Sequence, residues 1–459
     1  MKHDSNKSVP VHFDASKLGV TIDEKGHTNI NKDRLVKSFL KIRPIVYQPE
    51  SKAYYKYDNS GFYREISVND IDKDIISILD DIVPDMVSGN LLKEIERILP
   101  ARCISTKKLK DASNYINVKN GLLNLVTFTL KKHTKRIFTT RQLACEYNPD
   151  AKAPNWIKFT KTVFLGDIQL CRLLQEVTGY AISPKTEAQA FFFLYSGGSS
   201  GKSIYCKILT MLFGGEKFVS NVTLGDLNSK FARRQLFDAS CNIATENEVK
   251  SFSTETIKAL TGPDSLQIEG KFEKAFSAVI TAKQIFALNN LPKPKDITYA
   301  FYRRLVIVPF LARFVDEPKM ENEFKRNPEI LKILEPELEG ILSWSIRGLK
   351  RLIKNGYKFT HSDEAEKLLN EYRRDIDPVL DFYKASIKAE SNSKLSYEEL
   401  YEAFEDYRKS NGIRTTKERR EFIKELRYHL EQGNVYSEIK HSNKVYFLTG
   451  IAFKKSFDR

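Results

Sequence analysis

Lys202 and Ser203 close a run, Ser196-Gly197-Gly198-Ser199-Ser200-Gly201-Lys202-Ser203, whose residue types suit the holding of a chain of phosphates. Small residues let consecutive backbone N–H groups turn towards one anion, a lysine reaches the outer phosphates, and a serine hydroxyl can ligate Mg²⁺. Before the run stands Ala190-Phe191-Phe192-Phe193-Leu194-Tyr195, an apolar stretch typical of a buried parallel strand. After it, from Ile204, apolar residues recur at helical spacing. Strand, loop and helix in that order make Gly197, Gly198, Ser199, Ser200, Gly201, Lys202, Ser203 and Ile204 a candidate site for a nucleoside triphosphate such as ATP with Mg²⁺. The usual pattern begins with glycine; Ser196 takes that place, so the loop has to accept a Cβ there.

Hydrolysis needs further groups around such a loop. A carboxylate at the C-terminal end of a neighbouring strand can hold Mg²⁺ through water and orient the attacking water. The apolar run Asn242-Ile243-Ala244-Thr245 leads into Glu246-Asn247-Glu248, which supplies two candidates, and Glu246 with Ser203 is the candidate metal pair. A third run, Gln284-Ile285-Phe286-Ala287-Leu288, ends at Asn289, whose amide can sense a terminal phosphate. Arg303 and Arg304 precede a fourth run, Leu305-Val306-Ile307-Val308-Pro309-Phe310. In a ring of identical subunits an arginine there can reach the neighbour's nucleotide and stabilise charge on the transferring phosphoryl group. Between these runs, Lys271, Phe272 and Lys274 form a turn that could grip a single strand through phosphate and base.

Four apolar runs separated by helix-like stretches predict a parallel sheet covered by helices. The bounds set by composition agree with a large globular protein: 459 residues, 29% charged and 41% apolar. A formal charge of +15 favours an acidic polymer as partner, with nucleic acid ahead of a membrane surface. No apolar run approaches the ~20 residues of a membrane span, and the N-terminus lacks the apolar core of a signal peptide, so a cytoplasmic protein is expected. Five scattered cysteines without a C-x-x-C pair argue against a disulfide framework or a zinc site.

Along the chain, residues 1–44 are polar and poorly patterned, and 45–150 predict an α+β domain. Within it, Tyr54 to Tyr63 predicts a hairpin whose tyrosines either stack on bases or simply pack on a helix. Asn120-Gly121 predicts a turn between short strands, and the cluster Lys131-Lys132-His133-Thr134-Lys135-Arg136 suits either phosphates or a solvated edge. Residues 151–185 form a helical collar, with Trp156 to Ile182 helical; 186–320 hold the phosphate-loop core; 321–380 form a helical extension, with helical patterning from Phe314 to Gly356. Residues 381–459 begin a new unit with a capping box at Ser396-Tyr397-Glu398-Glu399. A second helix from Thr415 or Thr416 to Gln432 follows, carrying Arg419, Arg420 and Lys424, and then a hairpin turned at Ser442-Asn443. Helix, helix, hairpin is a winged-helix order, which would set the basic helix in a DNA groove.

The ordered set of phosphate loop, Glu246-Asn247-Glu248, Ile257-Lys258-Ala259-Leu260-Thr261-Gly262, Asn289-Asn290-Leu291-Pro292 and Phe301-Tyr302-Arg303-Arg304 resembles superfamily 3 helicases. More narrowly, it is similar to the helicase half of phage, plasmid and poxvirus primase-helicases, over about residues 45 to 385. The resemblance implies an α/β fold with an AAA+-like P-loop ATPase core, assembled as a hexamer that moves on single-stranded DNA by hydrolysing ATP. It implies that Lys202 and Ser203 bind phosphates and Mg²⁺, Glu246 is the principal acid with Glu248 beside it, and Asn289 is the sensor. One of Arg303 or Arg304 would be the finger, and Lys271 or Lys274 would grip DNA. Forked or origin DNA, and a separate primase or polymerase, would be partners. No primase site is recognisable before residue 45, so primer synthesis is not implied. The competing expectation is an ATP-regulated initiator or loader that binds DNA and unwinds nothing.

Overall fold

The computed structural model describes residues 14–24, 27–84, 87–245, 247, 251–270, 275–294, 299–442 and 445–454. The chain is a mixed α/β protein built around one five-stranded sheet. From edge to edge its strands are Val219–Ser220, Cys241–Ala244, Lys283–Leu288, Phe191–Tyr195 and Leu305–Pro309, all parallel. Parallel pairing requires crossovers, and helices on both faces bury the sheet from both sides. Alternation along the strands sorts the side chains. Phe192, Leu194, Ile285 and Val308 enter one core, while Phe191, Phe193, Phe286 and Ile307 enter the other. All four predicted apolar runs are strands of this sheet, so every C-terminal strand end emerges along one edge.

The first core is closed by two helices that approach unusually near. Ile168–Ala181, capped by the Asp167 carboxylate on the N–H groups of Gln169 and Leu170, lies against Leu338–Lys354. A Cβ on Gly179 would sit 2.4 Å from the Ser345 carbonyl, and one on Gly348 would sit 2.4 Å from that of Gln175. The same contact buries Glu176 completely. Its carboxylate accepts from Arg351 Nε at 2.6 Å and from the Thr360 N–H at 2.6 Å, so the charge is paired and its lone pairs are used.

Several expectations shift. Among the described residues of the poorly patterned start, Lys32–Ile42 is a helix whose Leu35, Val36 and Phe39 share a core with Ile71, Ile75 and Ile95, because their apolar face is complete at helical spacing. The aromatic hairpin forms as Ala53–Asp58 against Phe62–Ile66, with Tyr54, Tyr55 and Tyr63 buried, so packing is their role. The stretch from Trp156 to Ile182 is two helices, Pro154–Val163 and Ile168–Ala181, broken where Leu165 and Gly166 take positive φ. Phe314 belongs to the strand Arg313–Val315, paired with Glu323–Lys325, rather than to a helix. Glu323 fixes that excursion by binding Arg313 Nη1 and the N–H groups of Lys319 and Met320.

The C-terminal unit runs helix Pro378–Ser386, strand Ile387–Ser396, helix Tyr397–Ser410, helix Arg419–Gln432, then strands Ile439–Ser442 and Val445–Phe453. The capping box at Ser396 and Glu399 is formed. The second helix starts at Arg419 instead of Thr415, because the Thr415 hydroxyl binds the Asp375 carbonyl and the Tyr401 hydroxyl binds that of Lys417. The strand Ile387–Ser396, which the sequence pattern does not predict, pairs with Val445–Phe453. Among the described residues no helix is long and apolar enough to cross a membrane.

The helix contact generates a stability prediction. Gly348→Val, which drives a branched side chain into the Gln175 backbone, should cost about 1–3 kcal/mol, seen as a fall in the thermal unfolding midpoint. Gly89→Ala has open space around its new methyl and should leave the midpoint unchanged or slightly raised.

Candidate nucleotide-binding site

The site begins where the strand Phe191–Tyr195 ends. Gly198, Ser199 and Gly201 all take positive φ, at 114°, 51° and 90°, which turns successive N–H groups towards one concavity. Gly201 is also pressed from behind, since a Cβ there would lie 3.1 Å from the Phe159 ring and 3.3 Å from Val163. It precedes the helix Lys202–Leu212 and offers no side-chain cap, so the first N–H groups of the helix remain for a ligand.

Ser196, which departs from the usual glycine, is a brace. Its hydroxyl lies 2.6 Å from that of Ser200, accepts from the Gly198 N–H at 3.3 Å and meets Lys202 Nζ. Lys202 Nζ also donates to the Ser196 carbonyl and to Asn289 Oδ1, each at 3.1 Å. The ammonium is thus held at the strand ends, only 7% exposed, and burial pushes its pKa down to about 8.

Gly198 to Ile204, Thr245 and Asn289 line a cleft of about 470 Å³. Gly197 stands just outside it, and Ser203 is exposed within it. Glu246, Glu248, Lys271, Phe272 and Lys274 lie outside the described residues. Thr245, immediately before Glu246, reaches the cleft, and Asn247 shows how the segment is anchored. Asn247 Nδ2 donates to the carbonyls of Ala244 at 2.8 Å and Ala287 at 3.3 Å, while its Oδ1 accepts from the Leu224 N–H at 3.2 Å. One amide therefore ties two strand ends under the cleft.

Arg303 and Arg304 are elsewhere. They precede the strand whose Pro309 pairs with Tyr195, so they sit at the far end of the sheet, roughly 13 Å of strand from the cleft. Arg303 is exposed and donates to Gln189 Oε1 at 3.0 Å, whereas Arg304 is half-buried and donates to the Ala300 carbonyl at 2.9 Å. Neither lines the cleft of its own chain.

The opposite wall has no counterpart in the sequence pattern. Phe159 from the collar and Phe314 lie with rings nearly parallel, 6.4 Å apart, and Ile330, Lys325, Arg326 and Asn327 complete the rim. The cleft consequently has one end rich in backbone N–H groups and a flat apolar end with cations at its edge. Arg419, Arg420 and Lys424 are far along the chain, on one side of the C-terminal helix Arg419–Gln432, and line a separate recess beside Tyr446.

Comparisons with known proteins match several stretches of the chain. Residues 32–165 match a family described as D5 N terminal like, and residues 374–455 match one described as poxvirus D5 protein-like. Between them, residues 194–304 match a family of unknown function, DUF5906. A putative helicase of Acanthamoeba polyphaga mimivirus is 22% identical over 282 residues, covering 54% of this chain and 28% of that protein. The chain therefore spans less than a third of its curated relative. Among solved structures, two apo forms of the NrS-1 C terminal region align with TM-scores of 0.48 and 0.47 at 12% and 11% identity, over 88% and 92% of this chain and 95% and 100% of theirs. The two D5 matches and the helicase relative bear out the resemblance to the D5-like branch of superfamily 3 helicases.

The depressed Lys202 gives a pH dependence with a definite sign. Phosphate favours the charged ammonium, so above pH 8 binding must take up a proton. Affinity for triphosphate should be level below pH 8 and fall by up to about tenfold per pH unit above it. Lys202→Arg, always charged, should flatten that slope in titrations between pH 7 and 9.5.

Proposed function

We propose that the chain is an ATP-dependent replication helicase or initiator motor, with an AAA+-like P-loop core and a C-terminal winged helix. The observation that carries the reading is the positive-φ loop at a helix N-terminus, with Lys202 bridged to Asn289 at the C-terminal edge of a parallel sheet. In open parallel sheets ligands bind outside that edge. The polyphosphate fits the N–H groups of residues 198–203, and the apolar end formed by Phe159, Phe314 and Ile330 fits a nucleobase. Mg²⁺ would be held by Ser203 and Glu246, and would supply neutralisation of charge between the outer phosphates.

Within this chain Lys202 holds the outer phosphates, Asn289 senses them as the lysine leaves it for the phosphates, and Glu246, seconded by Glu248, orients the attacking water. The strand geometry argues that a neighbouring subunit supplies the finger, because Arg303 and Arg304 stand at the wrong end of the sheet to reach their own nucleotide. Arg303, exposed, is better placed to project outward. A closed ring, a hexamer by resemblance, satisfies this requirement. Lys271, Phe272 and Lys274 would then meet the threaded strand, and Arg419, Arg420 and Lys424 would engage forked or origin DNA. The name of the mimivirus relative and the two D5 matches support a replication role, in which a separate primase or polymerase is the natural partner.

DNA-stimulated ATP hydrolysis should drop at least 100-fold in Lys202→Ala while DNA binding persists; unchanged turnover would sink the motor reading. Strand displacement on a forked substrate separates a helicase from a loader that hydrolyses ATP without unwinding. For the finger, mixing Arg303→Ala with Lys202→Ala subunits should recover part of the hydrolysis, whereas each variant alone is inactive. Absence of recovery in mixed rings of verified assembly would assign the arginines a structural role.

A further inference from the structure

The C-terminal unit carries a second recess whose composition differs from what a duplex-groove helix requires. Residues 420, 424, 427, 428 and 431 fall on one side of the helix Arg419–Gln432, next to the face that buries Phe422, Leu426 and Leu430. That side turns towards the hairpin. Together they enclose a recess of about 630 Å³, with Tyr397 and Tyr446 as the facing wall.

Two features of the recess point to the same ligand. The first is charge that the protein leaves unspent. Lys417, at the helix approach, is held by Glu421 at 3.2 Å and Glu425 at 2.6 Å. Arg419, Arg420 and Lys424, by contrast, have no ion-pair partner among the described residues, and Arg427 meets Glu431 only at 4.0 Å. The second is a column of rings. Tyr446 lies 5.7 Å from Tyr397 with planes 28° apart, and 4.6 Å from His441 with planes 35° apart. Tyr446 nevertheless remains 51% exposed, and Tyr428 on the helix side is 56% exposed.

We infer that the recess between this helix and the hairpin is a binding site for single-stranded nucleic acid, with phosphates on Arg420 and Lys424 and a base against the Tyr397–Tyr446 column and Tyr428. This rests on the reading that the C-terminal unit binds DNA, and it names the strand form. Unpaired bases expose π-faces to aromatic side chains, and a cationic groove that tracks the backbone completes such sites. Paired bases in a duplex offer only their edges in the grooves, so stacked tyrosines would gain nothing from them. A recess walled on both sides also cannot admit a helix that must be surrounded by a major groove. At a fork, the site would hold the strand that has just been released or is about to be threaded.

The test uses the full-length protein with a fluorescent oligothymidylate and a blunt hairpin duplex, plus single-stranded DNA carrying 4-thiothymidine for cross-linking. Tyr446→Ala and, independently, Tyr428→Ala should weaken single-strand binding roughly 5- to 150-fold, the loss of one stacked base, and leave duplex binding unchanged. Tyr446→Phe should retain affinity, and cross-links should map to Tyr428 or Tyr446. Lys424→Glu should also weaken single-strand binding and reduce its salt dependence. Loss of duplex binding in Lys424→Glu with no effect of either tyrosine variant on the single strand would overturn the inference while keeping the DNA-binding reading. No effect of Lys424→Glu on either substrate would remove both and leave the recess to a protein partner.

Discussion

The site depends on one close approach: Gly201 seated against Phe159 and Val163. The contact lets the loop end at positive φ and start a helix whose first N–H groups are bare, so the positive end of the dipole faces a cavity. Any larger residue at 201 would meet a ring that is itself held by Trp156 and by Phe314. The same side chain that shapes the phosphate end from behind thus forms part of the apolar end in front. Collar, loop and the Arg313–Val315 excursion are one mechanical unit, and a shift in the collar helix would move both ends of the cleft together.

Beneath that unit, the strand ends are tied by amides. Asn247 joins the ends of Cys241–Ala244 and Lys283–Leu288, and Asn289 joins the latter to Lys202. A neutral amide can do this without adding charge next to a phosphate site, and it can exchange one partner for another at little cost. In the proposed motor, phosphate would draw Lys202 away from the Ser196 carbonyl and from Asn289. The freed amide would then report occupancy to the strand that leads on towards Arg303 and Arg304. The buried Glu176–Arg351 pair gives the opposite behaviour, a fixed joint whose disruption strands a charge.

What can be read from the sequence is local. The phosphate loop, the four apolar runs and the capping box at Ser396 are each specified within a dozen residues, and their residue types have few other uses. The cleft's other wall is not legible, because Phe159, Phe314 and Ile330 come from three segments, and each alone is an ordinary core residue. Asn247 is overshadowed in the sequence by its acidic neighbours, and its bracing of the backbone appears only in the structure. The strand Ile387–Ser396 is hidden because Lys388, Glu390 and Lys394 break the apolar pattern of what is an edge strand. The helical reading of Trp156 to Ile182 does not mark the break at Gly166 and Asp167, a stop and a cap side by side.

In the proposed function, the cleft and the C-terminal recess do different work. A net charge of +15 could have been spread as a solvated coat. Some surface cations are matched: Lys37 and Arg102 share Asp33, Arg408 binds Glu405, and Lys417 binds two glutamates. Among the described residues, the cations without an ion-pair partner include Lys325 at the rim of the cleft and Arg419, Arg420 and Lys424 on the helix Arg419–Gln432. Long-range attraction from such patches is screened beyond ~8 Å at physiological salt, so each can act only on what reaches it. In the proposed motor, capture at the C-terminal unit and hydrolysis at the sheet edge would have to be linked through the protein. Lys293 Nζ, 3.0 Å from Thr415 Oγ1, and Tyr372 Oη, 2.5 Å from the Pro292 carbonyl, would put that link in the segment just beyond Asn289.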